Sequence, residues 1–361
     1  MPHIARSKCR KPIPKNSRRR LLYQTFEDRQ VLSAVGVLSD GVVNIQANDQ
    51  DNNISVHTVR ETQTLVVTVD GRVAEFPNAR VRHLQINAAG GDDIVTIDDS
   101  VRQTTSIRGG LGNDVIFGSK QADRIAGGPG YDTIHAGAGN DFISGGADGD
   151  YIEGGDGNDR IKGNAGVDIL FGGAGNDRIE AGDGDDYAIG GSGNDELSGG
   201  DGDDWLFGDA TNSYPEGYVD PVEYARDFSD SNRGHDVIDG GDGNDKILGG
   251  RGDDLLYGGA GNDMIRGGAG DDGIRGGNGD DEIHGGIGDD KLGGGEGSDE
   301  INGDAGDDVL IGGAGRDRLN GGEGRDQINA RDGVVDFILT DGFDDLRVDR
   351  FDVIAIHVDE D

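Results

Sequence analysis

The sequence predicts an all-β chain built as a parallel β-solenoid, and three observations predict it. From Gly109 the residues fall into blocks of nine, and the sixth place of every block is Asp. The eighth place is Ile or Leu in 21 of 22 blocks, Ala188 being the exception. A fixed period of this kind marks stacked repeats, each burying its apolar residue against its neighbours. Composition alone points elsewhere: glycine supplies 69 of 361 residues, aromatic residues 5%, and the net charge is -38. Chains so acidic and so poor in apolar residues are ordinarily disordered. The unbroken register sets that reading aside.

Residues 1–34 read as a basic export or targeting segment. Residues 1–20 carry eight basic side chains and no acidic one, so the remainder, at -38 less these eight, carries -46. Leu21-Leu22-Tyr23 and Phe26–Ala34 follow without the continuous apolar core of an ordinary signal peptide; a disordered basic tail is the alternative. Phe26-Glu27-Asp28-Arg29-Gln30-Val31-Leu32 resembles the short Leu-Glu-Pro-Arg-x-x-Leu motif near the N-terminus of large bacterial surface proteins, with Phe26 and Asp28 departing from it. Cys9 is the one cysteine, which leaves no intrachain disulfide. No run approaches the 18 apolar residues of a membrane span.

Residues 35–108 read as a β-rich N-terminal cap continuing into the solenoid. Thr64–Val69 is rich in β-branched residues, Asp70-Gly71 suits a hairpin turn, and Leu84 and Ile86 alternate with polar neighbours. Gly90-Gly91-Asp92-Asp93 looks like a lone degenerate repeat turn. Repeat arrays need such caps over their exposed core ends.

Eleven blocks fill 109–207 and eleven more fill 231–329. Their sixth residues are Asp114, Asp123, Asp132, Asp141, Asp150, Asp159, Asp168, Asp177, Asp186, Asp195 and Asp204, then Asp236, Asp245, Asp254, Asp263, Asp272, Asp281, Asp290, Asp299, Asp308, Asp317 and Asp326. Glycines at places one, two and four let the backbone take positive φ and expose its carbonyl oxygens. The Asp adds a carboxylate at the end of that turn. Calcium takes six to eight hard oxygens of these two kinds, so the 22 aspartates are the candidate metal ligands. One turn supplies too few oxygens, so neighbouring coils must share an ion. Places seven to nine would form a very short strand with the apolar residue inward.

The block matches the glycine-rich nonapeptide G-G-x-G-x-D-x-U-x, where U is a large apolar residue. By that match the chain resembles the RTX (repeats-in-toxin), or haemolysin-type calcium-binding, family. The resemblance implies a right-handed parallel β-roll with two nonapeptides per 18-residue coil, about 11 coils here, and calcium ions in rows between successive turns. About 20 shared sites are then possible. One Ile per nine residues is too little burial to offset backbone ordering, so metal binding is expected to be coupled to folding. Several turns depart from the motif: Ser119 and Gln121, Asp148, Asn164 and Asp304 replace glycines, and Ala136 and Ala181 take first places.

Residues 208–230 interrupt the array. The simplest parse is one nonapeptide beginning Gly208-Asp209 and resuming near Arg233-Gly234-His235-Asp236, with 23 residues inserted in its turn. The insertion holds Tyr214, Tyr218, Tyr224 and Phe228, either a partner contact or aromatics packed on the roll. Residues 330–361 read as a C-terminal cap.

The acidic body excludes nucleic acid and anionic lipid as partners, since both need a basic surface. Calcium ions are the expected partner, with no membrane insertion. Catalysis is not expected, since no H-E-x-x-H helix or G-x-S-x-G elbow is present. Asp49-Gln50-Asp51 opens like an EF-hand loop, but Ile54 and Arg60 stand where Gly and Glu are needed. Arg251-Gly252-Asp253 falls at repeat places where Gly and acidic residues recur, and the third places show no Thr row for ice binding. The expected role is calcium binding by a secreted or cell-surface protein. The alternative is an adhesin or matrix protein that grips a partner through 208–230 or the N-terminal cap.

Overall fold

A computed structural model describes residues 34–209 and 234–356. Apart from a single 3-10 turn at Asn78–Arg80, the regular structure among them is all strand. Two sheets run through the described residues, and the chain passes from one to the other at each nonapeptide to make about 14 parallel turns. Arg160–Ala165 pairs with Arg178–Asp183 in one sheet, and Ile169–Ala174 pairs with Tyr187–Ser192 in the other. Each pairing joins residues 18 apart, so two nonapeptides make one coil.

The strands are longer than places seven to nine. Arg160–Ala165 runs from place seven through Gly163 and Asn164, the first and second places of the next block, to its third place. Positive φ is confined to places two and four: Gly173 and Gly175 sit at +115° and +138°, whereas the first-place Gly172 is outside that region. The expectation that all three glycines supply positive φ is corrected accordingly. Asn164, Asp304 and Asp148 keep the turn by accepting φ of 86°, 69° and 69°. Short polar side chains tolerate this region better than most.

The core is a double row of eighth-place residues. Ile134, Ile143, Ile152 and Leu170 are fully buried, as are Leu256, Ile265 and Ile283 farther along. These side chains from the two sheets form one continuous buried cluster along the roll.

Residues 42–108 begin the same two sheets but are built differently. Val42–Gln46 and His83–Gly90 are parallel rungs of the first sheet, and Asn53–Val59 and Ile94–Ile97 of the second. An antiparallel meander, Asn53–Val59, Thr64–Val69 and Arg72–Pro77, closes the end of the second sheet. It buries Leu65, Val67 and Val69 fully. At the other end Phe337–Thr340 and Val353–Ile356 continue the second sheet, and Asp345–Val348 the first.

The register crosses the 208–230 insertion without a slip. Glu196–Asp201 pairs with Val237–Asp242, residues 41 apart, which is one coil plus the 23 inserted residues. Asp209 holds the base of the insertion: its Oδ2 accepts the N–H groups of Gly234 and Arg251 at 3.3 and 3.1 Å. The four aromatic residues of the insertion lie outside the described residues, as do the basic segment and its motif. On the outer face of the second sheet, Phe171, Tyr187, Ile189, Phe207 and Leu248 form a second buried apolar cluster beside this point.

Candidate metal sites

Each sixth-place Asp sits at the corner where a turn enters a strand, with its side chain turned inward. Its own N–H donates to the Oδ1 of the equivalent Asp in the next coil: Asp132 to Asp150 at 2.8 Å, Asp159 to Asp177 at 2.7 Å and Asp254 to Asp272 at 2.8 Å. Two carboxylate ladders result, one along each edge of the roll, and they cross the insertion from Asp195 to Asp236 and from Asp204 to Asp245. The ladder consumes one oxygen per carboxylate. The other, Oδ2, is buried and has no hydrogen-bond partner in 21 of the 22 aspartates.

Asp123 stands apart. Its Oδ2 accepts the N–H of Ser119 at 2.7 Å, and its Oδ1 accepts both the N–H and the hydroxyl of Thr105. Ser119 and Gln121, which replace glycines in this turn, are absent from the positive-φ residues. The altered turn thus satisfies by hydrogen bonds the oxygen its neighbours leave open.

The first-place glycine has a role of its own. A Cβ at Gly172 would lie 2.5 Å from Asp177 Oδ2 and 2.5 Å from the Gly190 carbonyl oxygen of the next coil; at Gly154 the distances are 2.5 Å to Asp159 Oδ2 and 2.7 Å to Gly172 O. A carboxylate oxygen and a carbonyl oxygen from adjacent coils therefore converge on the space that glycine leaves empty. The carbonyls at places two and four also face the next coil, where a Cβ at Gly259 or Gly261 would collide with Gly241 O or Gly243 O. At Gly118, beside the altered Asp123 turn, the nearest atoms all belong to Ala136.

Burial without a counter-charge pushes the ladder carboxyls well above their ordinary value, to about 8 at Asp150, Asp204, Asp236 and Asp290 and to about 7 at Asp132 and Asp254. Desolvation is the main cause and neighbouring carboxylates add to it, while the N–H donated along the ladder opposes both. A buried, unpaired carboxylate oxygen is costly unless a cation or proton meets it. Orphaned oxygens, convergent carbonyls and the absence of nitrogen or sulfur donors suit a hard divalent cation. No group of three or more His, Cys, Asp or Glu side chains gathers among the described residues. Backbone oxygens would therefore supply most of each ion's ligands.

A further row of contacts is not evident from the nonapeptide pattern. At place five, Asn158, Asn176 and Asn194 donate their N–H to the side-chain oxygen of the preceding coil's Asn140, Asn158 and Asn176 at 3.1, 2.9 and 3.1 Å. Asp271, Asp289 and Asp307 do likewise. This ladder runs opposite in direction to the carboxylate ladder, and it explains the preference for Asn or Asp there. The carboxylate ladders also reach beyond the repeats, to Asp93 at one end and to Asp336 and Asp344 at the other.

The fold and these sites define a metal-binding β-roll. The family model of the RTX calcium-binding nonapeptide repeat matches in successive copies over residues 105–214 and 226–328. The chain belongs to that family of calcium-binding nonapeptide repeats. No curated protein matches the chain. No helix among the described residues is long and apolar enough to cross a membrane.

Proposed function

We propose that the chain is a secreted or cell-surface protein whose activity is to bind many calcium ions and to fold as it does so, with binding rather than catalysis as its biochemical role. The observation that carries this is the row of 21 buried Oδ2 atoms without partners. The aspartates bearing them would hold the ions, together with the carbonyls of adjacent turns, and Asp123 would hold none. An ion shared between two coils neutralises the charge that otherwise opposes stacking, which couples binding to folding. Extracellular calcium modules work at a Kd of about 10⁻⁴–10⁻³ M, which would leave this roll open in the cytosol and closed outside the cell. The test is far-UV circular dichroism of the purified chain titrated from EDTA into millimolar calcium. A coil spectrum that turns cooperatively into a β spectrum supports the reading. A full β spectrum in EDTA that calcium leaves unchanged overturns it.

A second reading, attachment to a cell-surface or matrix partner, rests on Tyr214, Tyr218, Tyr224 and Phe228, four aromatic side chains gathered in the insertion of an aromatic-poor chain. Deleting residues 210–232 and measuring attachment to cells or polysaccharide separates it from calcium binding alone.

A further inference from the structure

The turn at residues 88–93 lies outside the recognised repeats, yet it repeats their contacts one by one. The Asp93 N–H donates to Asp114 Oδ1 at 2.8 Å, and its Oδ1 accepts the N–H of Asn52 at 2.7 Å. Gly91 donates to the Leu111 carbonyl as Gly112 does to that of Pro129, and the Asp93 carbonyl accepts from Val115 as that of Asp114 does from Thr133. At place five, Asp92 accepts the N–H of Asn113 at 2.9 Å. The carbonyls of Ala89 and Gly91 face Gly110 and Gly112 so closely that a Cβ at either glycine would collide with them. Ala89 takes φ +88° at the second place, where the repeats use glycine. Asp93 is fully buried, and its Oδ2 has no partner.

The neighbouring turns mark where this ends. In the preceding turn the ladder place holds Asn52, a neutral amide satisfied by Asn48 and Asp70. At the far end of the roll Asp336 also has a buried, unpartnered Oδ2. However, its turn carries Asp332 and Val334 at the second and fourth places, and a Cβ at Gly333 would meet only open space. Of the turns beyond the repeats, 88–93 joins an orphaned carboxylate to carbonyls facing the next coil.

We infer that turns 88–93 and 109–114 together hold one further divalent cation, with Asp93 as its carboxylate ligand, fastening the N-terminal strands to the first coil of the roll. The inference rests on the proposed calcium reading of the repeats. Ala88 occupies the first place of this turn, as Ala136 and Ala181 do within the array, where Asp141 and Asp186 keep unpartnered Oδ2 atoms. An alanine at the first place thus leaves the carboxylate Oδ2 without a hydrogen-bond partner in all three turns.

The test is an anomalous difference map of the full chain crystallised with terbium in place of calcium, for the natural protein and for Asp93→Asn. The expected result is peaks along both rows plus one between turns 88–93 and 109–114, with that one peak lost in Asp93→Asn. Peaks at the repeats with none at Asp93, or a peak there that survives Asp93→Asn, overturn this inference alone. No peaks at the repeats either would overturn the calcium reading and this inference with it. The natural protein's map decides the matter even if the variant does not fold.

Discussion

Residues 42–97 and the repeats from Gly109 onward share two sheets and one register, yet they are held together differently. The first region buries several apolar residues per strand: Thr64–Val69 alone hides Leu65, Val67 and Val69 beneath an antiparallel meander. A repeat strand such as Arg178–Asp183 contributes Ile179 and the small Ala181, with outward Arg178 and Glu180 paired on its surface. The first region also closes a turn with ordinary side-chain hydrogen bonds, as at Asn52, whereas every repeat turn but that of Asp123 ends with a carboxylate oxygen left open. The same stacking geometry thus goes with a dense apolar core in one region and with rows of open carboxylate oxygens in the other. Sequence composition, coil by coil, decides which.

The largest expected effect is calcium removal. In EDTA at neutral pH, hydrogen exchange should become fast across residues 236–329, while Leu65, Val67 and their strand neighbours stay protected. Equal exchange in both regions would erase the distinction drawn here. Next, Leu65→Ala should lower stability by about 2–5 kcal/mol, the usual cost of emptying a packed core site. The loss should be similar with and without calcium in chemical denaturation of the N-terminal strands.

Acid gives the third test, and its sign follows from the raised carboxyl values. A group whose folded value lies above its unfolded one, here 3.8 rising to about 6–8, stabilises the folded state fully at low pH and loses that contribution as pH rises through the folded value. The calcium-free roll should therefore gain β structure in EDTA as pH falls from 8 toward 4, followed by circular dichroism. In calcium the opposite competition applies: protons and ions seek the same oxygens, so apparent affinity should fall as pH drops below about 7.

Gly259→Ala comes fourth. It places a methyl against Gly241 O at φ +115°, a strain of about 1–3 kcal/mol, and should raise the calcium midpoint of folding. Gly71→Ala, at φ +73° with nothing within 4 Å, should leave that midpoint unchanged. The smallest effect belongs to Asp123→Asn. Because Asp123 already spends both oxygens on Ser119 and Thr105, its loss should leave the number of bound ions unchanged by equilibrium dialysis, while Asp141→Asn lowers it.

Much of this was legible in the sequence, because the repeats are local and strict. Place eight named the core residues, place six the carboxylates, and the 23-residue insertion could be removed by counting. What counting missed depends on the neighbouring coil. The role of the first-place glycine appears only when Asp177 Oδ2 and Gly190 O are seen beside Gly172. The bonds that tie the Asn and Asp of place five to the preceding coil are likewise not written in any single repeat. Gly90-Gly91-Asp92-Asp93 is legible as a degenerate repeat turn, but Asp93 stays out of the ligand register because it lies 21 residues before Asp114 rather than 18.

The 18-residue coil also fixes a length. Stacked in the sheets, a coil occupies about 4.8 Å of the molecule's long axis, whereas the same residues drawn straight span about 60 Å. A roll held shut by ions is thus a spool, and each coil released under tension pays out roughly twelve times its stored length. Calcium concentration would then set how far apart the two ends of the repeat array can be pulled.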